Sequence, residues 1–288
     1  ELERQSAIVP AIMAALAPGL GHATTIGFTG PPGAGKSTLV NAIITLARQQ
    51  GQRVGVIAVD PSSPLSGGAI LGDRVRMTAA LDDDGVFVRS LASRGALGGL
   101  TPAAVRMIDA FDAARFDLIL IETVGTGQSE IDIASVADVR VVLAAPGLGD
   151  DMQAMKAGLL EIADIAVVNK SDRPGARATA AQLQGALSLR AERDRVPVLE
   201  TSATSGAGVA VLLAEIGRIG AARRAEGIEV RRRRRALYLI ECAARDLVAE
   251  RLSSIAGERR HGLADRILRG ETTAAEVAAA LLSGLREP

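Results

Sequence analysis

The sequence predicts an α/β fold, with a mostly parallel sheet flanked by helices and a small all-α extension at the carboxyl end. Three observations support this prediction. β-prone runs alternate with helical stretches up to about residue 220, many of these runs are continuous in valine, isoleucine and leucine, and no strand signal follows them. Because continuous apolar runs suit strands that are buried on both faces, we expect the sheet to be largely parallel.

The first predicted element is an apolar helix from Ile8 to Leu16, which ends at Pro18 and Gly19. A second helix, from Leu39 to Gln50, follows the first strand and has the apolar spacing of an amphipathic helix. Ligands of parallel sheets bind beyond the carboxyl ends of the strands, so motifs that follow the strands should meet at one edge. The predicted strands are Ile26 to Thr29, Arg53 to Val59, Val86 to Ser90, Asp117 to Glu122, Val139 to Ala144, Ile165 to Val168 and Pro197 to Glu200.

Three segments are expected along the chain: an N-terminal helical segment (1–20), a central α/β domain (21–220) and a C-terminal helical region (221–288). The composition changes over 221–235, a polar stretch that ends in five consecutive arginines, 231–235. We interpret this run as the solvated start of a helix, with docking on an acidic partner as the alternative. The residues beyond it predict an amphipathic helix whose apolar stripe needs a partner surface. That stripe consists of Leu237, Ile240, Ala244, Leu247, Val248, Leu252 and Ile255, and shorter helices are expected at Leu263 to Leu268 and Ala274 to Leu282.

The composition argues against several kinds of protein. Lys+Arg and Asp+Glu are balanced at 33 each, so we expect neither a nucleic acid nor a membrane as partner. The single cysteine, Cys242, excludes an intramolecular disulfide framework and fits a small buried residue in a reducing, cytoplasmic setting. We find no signal-peptide pattern and no apolar segment that approaches the roughly 18 residues needed to span a bilayer. The sequence begins at Glu1 rather than at methionine, which leaves room for an upstream segment.

A phosphate-binding loop is predicted between the first strand and the second helix. Glycines allow the tight turn that aims backbone N–H groups at phosphates, and the start of the helix adds positive potential. Lys36 is expected to reach the β- and γ-phosphates, and the Ser37 hydroxyl to ligate Mg²⁺. The pattern therefore predicts a nucleoside triphosphate site rather than an ordinary glycine-rich turn. The loop consists of Gly30, Pro31, Pro32, Gly33, Ala34, Gly35, Lys36 and Ser37, with Thr38 behind it.

The choice of base is predicted by Asn169, Lys170 and Asp172, which follow the strand that ends at Val168. A carboxylate at Asp172 can accept hydrogen bonds from the N1–H and 2-amino groups of guanine, and adenine offers no such pair of donors. A site built around such polar groups rejects a ligand that leaves them unpaired, which favours GTP over ATP. Ser202 and Ala203, within the run 201–203, lie where G proteins carry a base-contacting loop, and we expect them to contact the base as well.

Three acidic residues, Asp60, Asp73 and Glu122, lie at strand ends or in the loops near them. Mg²⁺ requires hard oxygen ligands and usually takes one or two carboxylates together with phosphate oxygens and water. These residues and Ser37 are therefore the candidate magnesium ligands. The alternative interpretation of each carboxylate is an ordinary charged surface residue.

Two glycine-rich loops beyond strand ends, 125–128 and 146–151, are suited to change shape when the γ-phosphate is lost. Gln128 lies in the first loop. Lys156 follows the second, where its charge either acts at the phosphate or faces water. The candidate catalytic residues are Lys36, Asp73, Glu122, Gln128 and Lys156.

Together with the phosphate loop, several strings over about residues 20–215 look like the MeaB/ArgK/MMAA family of G proteins. These strings are Val59 to Ser63, Gly67 to Arg74, Glu122 to Glu130, Pro146 to Asp150 and Asn169 to Asp172. The resemblance implies a P-loop GTPase that binds GTP, GDP and Mg²⁺ and acts as a chaperone of adenosylcobalamin-dependent acyl-CoA mutases, usually methylmalonyl-CoA mutase. Such a chaperone gates loading of the cofactor and protects the mutase from inactivation.

The resemblance also implies roles for particular residues and a quaternary structure. Ser37, Asp60, Asp73 and Glu122 take magnesium-site roles, while Gln128 and 150–156 fall in mobile loops that signal to the partner. The C-terminal helices are implied to hold a homodimer. Whether a cobalamin adenosyltransferase also joins the complex is left open.

Three other functions are compatible with a nucleotide site. A metallochaperone GTPase would need clustered cysteine and histidine ligands, but Cys242, His22 and His261 are widely separated in the sequence. An ATP-dependent protein kinase associated with amino-acid transport is disfavoured by Asp172. A nucleotide-dependent scaffold without useful hydrolysis is disfavoured by Lys36, Ser37 and Asp60 together.

Overall fold

The computed structural model describes residues 1–3, 6–60, 83–92, 100–123, 129–148, 158–188, 195–254 and 257–282. The side chains of 60, 92, 129–131, 252, 258–260 and 281–282 are outside this description. The chain divides into two compact units, Glu1–Arg235 and Ala236–Pro288. The boundary expected from composition, after residue 220, stays a prediction.

Seven strands of the larger unit form one sheet in the order β3-β2-β4-β1-β5-β6-β7. All the pairings between neighbouring strands are parallel, which confirms the predicted fold class. The strands are β1 (Thr24–Thr29), β2 (Val54–Asp60), β3 (Val86–Ala92), β4 (Leu118–Glu122), β5 (Val139–Ala144), β6 (Ile165–Val168) and β7 (Val198–Glu200).

Helices connect and cover these strands. They are α1 (Val9–Leu16), α2 (Lys36–Gln49), α3 (Pro102–Ala113), α4 (Ser129–Val136), α5 (Leu159–Ile162), α6 (Ala176–Leu187), α7 (Val209–Ala225), α8 (Ile228–Ser253), α9 (Gly257–Leu268) and α10 (Ala274–Leu282), with a short 3₁₀ turn at Ala17–Gly19. The first two turns of α8 fall in the larger unit, and α9 and α10 belong to the smaller unit. In the described part of the chain, no helix is long and apolar enough to cross a membrane.

Both faces of the sheet are buried, as continuous apolar strands require. Side chains alternate between the faces of a strand. Val141 and Leu143 of β5 pack in one hydrophobic cluster with residues of α2 and α7, whereas Val142 and Ala144 pack in another cluster with residues of α6. The core therefore lies on both sides of β5, in the middle of the sheet.

The sheet gathers four chain segments at its carboxyl edge. β1 ends at Thr29 directly before Gly30, β4 ends at Glu122, and β6 and β7 end directly before Asn169 and Thr201. In the sheet order, β4 lies on one side of β1. β6 and β7 lie on the other side, beyond β5. The motifs predicted to converge therefore start from one edge of the sheet.

The prediction that 231–235 form a solvated helix start is wrong for two of the five arginines. Arg231 is 2% exposed and donates to an oxygen of Asp138 at 3.0 Å, and Arg235 is 3% exposed and donates to Asp109 at 3.0 Å. Arg233, on the opposite side of the helix, is exposed. The two buried guanidinium groups are neutralised by carboxylates of the same chain, which is the condition for burying a charge.

Part of the apolar stripe predicted on the long helix is visible on α8, whereas the side chain of Leu252 and the whole of Ile255 lie outside the described residues. Leu237, Ile240 and Leu247 are 55%, 63% and 53% exposed and recur at helical spacing. Cys242 is a buried free thiol, as its apolar surroundings in the sequence suggested.

Candidate functional site

The phosphate loop has the backbone geometry that its glycines permit. Gly30 has φ of 141°, and a Cβ there would lie 2.3 Å from the carbonyl oxygen of Leu143 on β5. Gly33 and Gly35 also have positive φ, of 79° and 89°, which other residues adopt at a cost. Helix α2 begins at Lys36 rather than at Leu39 as predicted, since Gly35 provides its left-handed cap. Ser37 and Thr38 therefore lie in the first turn of the helix.

Lys36 lies across this loop. Its ammonium group donates to the carbonyl oxygens of Gly30 at 2.6 Å and Pro31 at 3.2 Å, and the residue is 6% exposed. A fixed positive charge therefore adjoins the N-terminus of α2, where unpaired backbone N–H groups favour anions. This arrangement suits the phosphates of a nucleotide.

Ser37 and Glu122 form a pair of oxygen donors beside the loop. The Ser37 hydroxyl donates to Oε1 of Glu122 at 2.6 Å, across from α2 to the end of β4. Glu122 is 3% exposed, which excludes the alternative of an ordinary surface carboxylate. A hydroxyl and a carboxylate are ligands that Mg²⁺ accepts, so these residues fit a magnesium ion at this position.

The other predicted acidic residues are described in part or not at all. Asp60 ends β2, which pairs with β4 at Ala58 and Glu122, so the backbone of Asp60 lies two residues further along at the same edge. Its side chain is outside the described residues, as are the whole of Asp73, Gln128 and Lys156.

Asn169 connects the phosphate loop to the predicted base site. Its amide Nδ2 donates to the carbonyl oxygen of Ala34 at 2.9 Å, and its Oδ1 accepts from the Thr201 hydroxyl and the Ala203 amide, both at 3.2 Å. Asn169 is 1% exposed, and its bonds with Ala34 and Thr201 are buried, whereas the bond from Ala203 is partly buried. Next to it, Lys170 donates from Nζ to the carbonyl oxygen of Gly33 at 2.6 Å. The Asn169–Asp172 loop thus holds the phosphate loop at two points.

Sequence reasoning missed the part played by Thr201. It is fully buried and its hydroxyl orients the Asn169 amide by bonding its oxygen. The sequence does point to Thr201, because it directly precedes Ser202 and Ala203, which are predicted to contact the base.

Asp172 presents an exposed carboxylate at the outer end of this loop. A hydrogen bond from the Ser202 hydroxyl lowers the pKa of Asp172, and the charges of Arg173 and Lys170 lower it further. The carboxylate is therefore ionised at neutral pH and can accept hydrogen bonds from a ligand. Ser202 itself is 2% exposed and is fixed by a backbone bond to Ala207.

The described site therefore comprises four groups of residues from four neighbouring parts of the sheet. The phosphate loop follows β1, the Glu122 carboxylate ends β4, the Asn169 loop follows β6 and the Thr201 loop follows β7. Pro32 and Thr38 of the phosphate loop are exposed. The arrangement can bind a phosphate chain at one end and a base with adjacent hydrogen-bond donors at the other.

Comparison with known proteins agrees with this arrangement. Residues 2–257 match the profile of a family described as methylmalonyl-CoA mutase-associated GTPase MeaB, which extends well beyond the 20–215 of the resemblance noted from motifs. A protein of Pyrococcus horikoshii named as a GTPase is 50% identical over 220 residues, covering 75% of this chain and 69% of that protein. One of Mycobacterium tuberculosis, also named as a GTPase, is 40% identical over 276 residues, covering 93% and 82%. The crystal structure of a LAO/AO transport system kinase superposes with a TM-score of 0.72 at 25% identity, covering 96% of this chain and 85% of that one.

Proposed function

We propose that this chain, which belongs to the MeaB family of methylmalonyl-CoA mutase-associated GTPases, is a GTP-dependent chaperone of an adenosylcobalamin-dependent acyl-CoA mutase. The chain binds guanine nucleotides and hydrolyses GTP, as its P-loop fold and its GTPase relatives establish. The family match over 2–257 is the observation that carries the proposal, and its description favours methylmalonyl-CoA mutase as the client.

In the proposed mechanism, the phosphate loop and Lys36 hold the phosphate chain and stabilise the negative charge that develops in phosphoryl transfer. Ser37 and Glu122 would hold Mg²⁺, with Asp60 and Asp73 as further candidate ligands. When bound, the metal neutralises charge on the β- and γ-phosphates. Gln128 is our candidate to orient the attacking water, and Lys156 our candidate for a further charge at the phosphate.

At the other end of the nucleotide, Asp172 accepts the two guanine donors, and Ser202 keeps its carboxylate ionised. Asn169 and Lys170 tie this base site to the phosphate loop. Because the two ends are linked by direct hydrogen bonds, binding of the base helps to order the loop that holds the phosphates.

The chaperone role requires that the GTP and GDP states differ in their affinity for the mutase. A ligand can shift a partner's equilibrium only by that difference. We propose that the GTP-driven change gates loading of adenosylcobalamin and protects the mutase from inactivation, and the loops 125–128 and 150–156 are the candidates to carry the change. A cobalamin adenosyltransferase is a candidate third component.

We further propose that the helical region 221–288 forms a homodimer contact. The exposed apolar residues Leu237, Ile240 and Leu247 support this proposal, since a stripe of this kind needs a partner surface. A second copy of the same helix supplies one.

The alternatives find less support. Within the described ranges, no group of three or more histidine, cysteine or acidic residues is placed to hold a metal ion, so these ranges offer no site for a metallochaperone's cargo. A transport-associated ATP-dependent kinase conflicts with the exposed Asp172 carboxylate, which suits guanine. A scaffold without hydrolysis would use Lys36 and the Ser37–Glu122 pair to bind nucleotide, but it conflicts with the relatives, which are named as GTPases.

The proposal is tested by phosphate release from GTP and from ATP, measured with the purified chain alone and with added methylmalonyl-CoA mutase. Turnover that is selective for GTP and rises with the mutase supports the chaperone. A Lys36→Ala variant, which should release little phosphate, controls for contaminating hydrolases. Turnover of GTP that the mutase leaves unchanged, together with no binding of the mutase in either nucleotide state, contradicts the proposed client. Turnover of ATP at the same rate contradicts the assigned base site.

A further inference from the structure

The amino end of β1, at the edge of the sheet opposite the nucleotide site, is held by several polar contacts. The approach to the strand is bound by Asp112 of α3, whose two carboxylate oxygens accept from the backbone amides of Gly21, His22 and Ala23 at 2.8–2.9 Å. Asp112 is 2% exposed. The position at which the chain enters the sheet is thereby fixed by a single buried carboxylate.

The next contacts involve four residues, Thr25, Asp138, Arg231 and Arg235, which we call the strand-foot cluster. Oδ2 of Asp138 accepts from the backbone amide of Thr25 at 2.9 Å and from Arg231 at 3.0 Å. Arg235 donates to the Thr25 hydroxyl at 2.9 Å. All four residues are at most 3% exposed. Buried charge-assisted bonds of this kind have strict geometry and hold their partners firmly.

The strand-foot cluster fixes β1 against β5. Asp138 directly precedes the first residue of β5, Val139, which also begins the register between the strands opposite Ile26. A single carboxylate therefore bonds the backbone of one strand at the point where the neighbouring strand begins.

At the other end of the same two strands there is no free space. Gly30, which follows β1, lies so close to Leu143 of β5 that a Cβ would be 2.3 Å from the Leu143 carbonyl oxygen. Gly30 lies five positions after Thr25, which corresponds to about 16 Å of extended strand. Protein interiors are close-packed and barely compressible. A displacement at one end of a buried, paired strand is therefore transmitted along its length. A small slip of β1 at its foot would therefore press the phosphate loop against β5.

We propose that Thr25, Asp138, Arg231 and Arg235 are positioning residues for nucleotide binding, which set the placement of the phosphate loop from the opposite edge of the sheet. They touch no substrate and act through β1. Two of them come from the arginine run at the start of α8, so the C-terminal part of the chain contributes to the G domain's own site. The inference concerns nucleotide binding by the GTPase itself and does not depend on the identity of the client.

The test uses the full chain with Thr25→Val, which preserves the size and branching of the side chain and removes the acceptor of Arg235. Arg235 keeps its bonds to Asp109 and to the Val136 carbonyl oxygen, so the fold should be retained. The dissociation constant for a fluorescent methylanthraniloyl-GDP, measured well below the melting temperature, should rise by about two- to thirtyfold, the range found for mutations that act between coupled positions. Thr25→Ser restores a hydroxyl and should recover most of the affinity.

Thr101→Val is the matched control. Thr101 is also buried, and its hydroxyl caps α3 by accepting from Ala104, so the substitution lowers stability without touching β1. The positioning role requires that Thr25→Val changes GDP affinity and the KM for GTP, whereas Thr101→Val lowers only the melting temperature. If Thr25→Val does not fold, Arg235→Lys, which keeps a charge for Asp109, is measured against the same expectation. A loss of melting temperature with unchanged GDP affinity and unchanged KM in the folded variant overturns the inference.

Discussion

The side-chain amide of Asn169 donates a hydrogen bond of 2.9 Å to the carbonyl oxygen of Ala34, so the loop after β6 is tied directly to the phosphate loop. The other side of the same amide orients the loop after β7 through Thr201 and Ala203. One buried side chain thus sets the distance between the parts of the site that bind the base and the phosphates.

We expect Asn169→Ala to weaken nucleotide binding and to destabilise the chain. The substitution leaves the Thr201 hydroxyl and the Ala203 amide without their acceptor, and each unsatisfied buried group costs about 1–3 kcal/mol. GDP titration and urea unfolding measure the two effects. The exposed neighbour Arg173 provides a control, since Arg173→Ala should change unfolding little. An Asn169→Ala variant with full GDP affinity would refute the linking role.

Asp172→Asn should change the preferred base from guanine to xanthine. The amide can donate to the 2-oxo group that xanthine carries in place of the 2-amino group of guanine, whereas the carboxylate cannot. Because Asp172 is exposed, we expect a change in relative kcat/KM of at least about tenfold, short of the roughly 10⁴ reached in buried sites. Competition between GTP and XTP in a phosphate-release assay measures it. Retained preference for GTP would show that Asp172 does not contact the base.

Glu122→Gln should raise the Mg²⁺ concentration needed for half-maximal GTP hydrolysis by about 10- to 100-fold, the usual cost of disturbing the groups around a metal. The amide keeps the size of the side chain and removes the negative charge beside Ser37. GDP binding measured in EDTA should change little, which separates the metal effect from the nucleotide site. Glu200→Gln is the control, because Glu200 also ends a strand but is exposed. Equal Mg²⁺ dependence in both variants would argue against Glu122 as a ligand.

The ion pair between Asp164 and Arg140 should make a pH-dependent contribution to the stability of the fold. Burial acts to raise the pKa of Asp164, but the bonds and charge of Arg140, assisted by Arg223, outweigh it and lower the pKa below its ordinary value of 3.8. The ion pair with Arg140, at 2.7 Å, therefore stabilises the fold fully above that ordinary value and loses its contribution as the pH falls through the lowered pKa.

Asp164→Asn should accordingly lower the free energy of unfolding by about 1–3 kcal/mol at neutral pH, and the difference from the unchanged chain should vanish in acid. Urea unfolding across the acidic range measures this difference. Glu215→Gln, which breaks the pair with Arg218, should have a smaller effect, because the Arg218 side chain is 68% exposed and water screens the charges. A difference for Asp164→Asn that stays constant with pH would contradict the assignment.

Ile240→Glu tests the proposed homodimer. Ile240 is 63% exposed in the single chain, so a charge there should leave the isolated fold intact and disrupt an apolar contact between copies. Sedimentation velocity should show a dimer for the unchanged chain and a monomer for the variant. Val211→Glu, at an equally exposed position on α7, should remain dimeric. A monomer in the unchanged chain at all concentrations would contradict the proposal.

Much of the fold could be predicted because its signals are local. The predicted strand Ile165 to Val168 matches β6 to the residue, since a short, continuous apolar run is typical of a strand that is buried on both faces of a parallel sheet. The start of α2 was placed three residues too late because Lys36, Ser37 and Thr38 are polar, and only the left-handed Gly35 shows where the helix begins.

The long-range contacts could not be predicted in this way. Five consecutive arginines favour a solvated helix, and nothing near them in the sequence indicates that Arg231 pairs with Asp138, 93 residues away. The contact of Asn169 with Ala34 spans 135 residues, although both residues had been singled out by their own motifs. Which side chains satisfy one another is decided by the packed sheet and not by either segment alone.

The burial of Arg231 and Arg235 also limits how the protein can be dissected. A gene truncated after residue 220, the boundary that composition suggests, would encode a G domain in which Asp138 has lost its guanidinium partner Arg231. Because removing one partner of a buried ion pair is strongly destabilising, such a fragment should be less stable than the full chain. A fragment that extends through Arg235 retains both guanidinium groups, and is the shorter form to choose for isotope labelling or crystallisation.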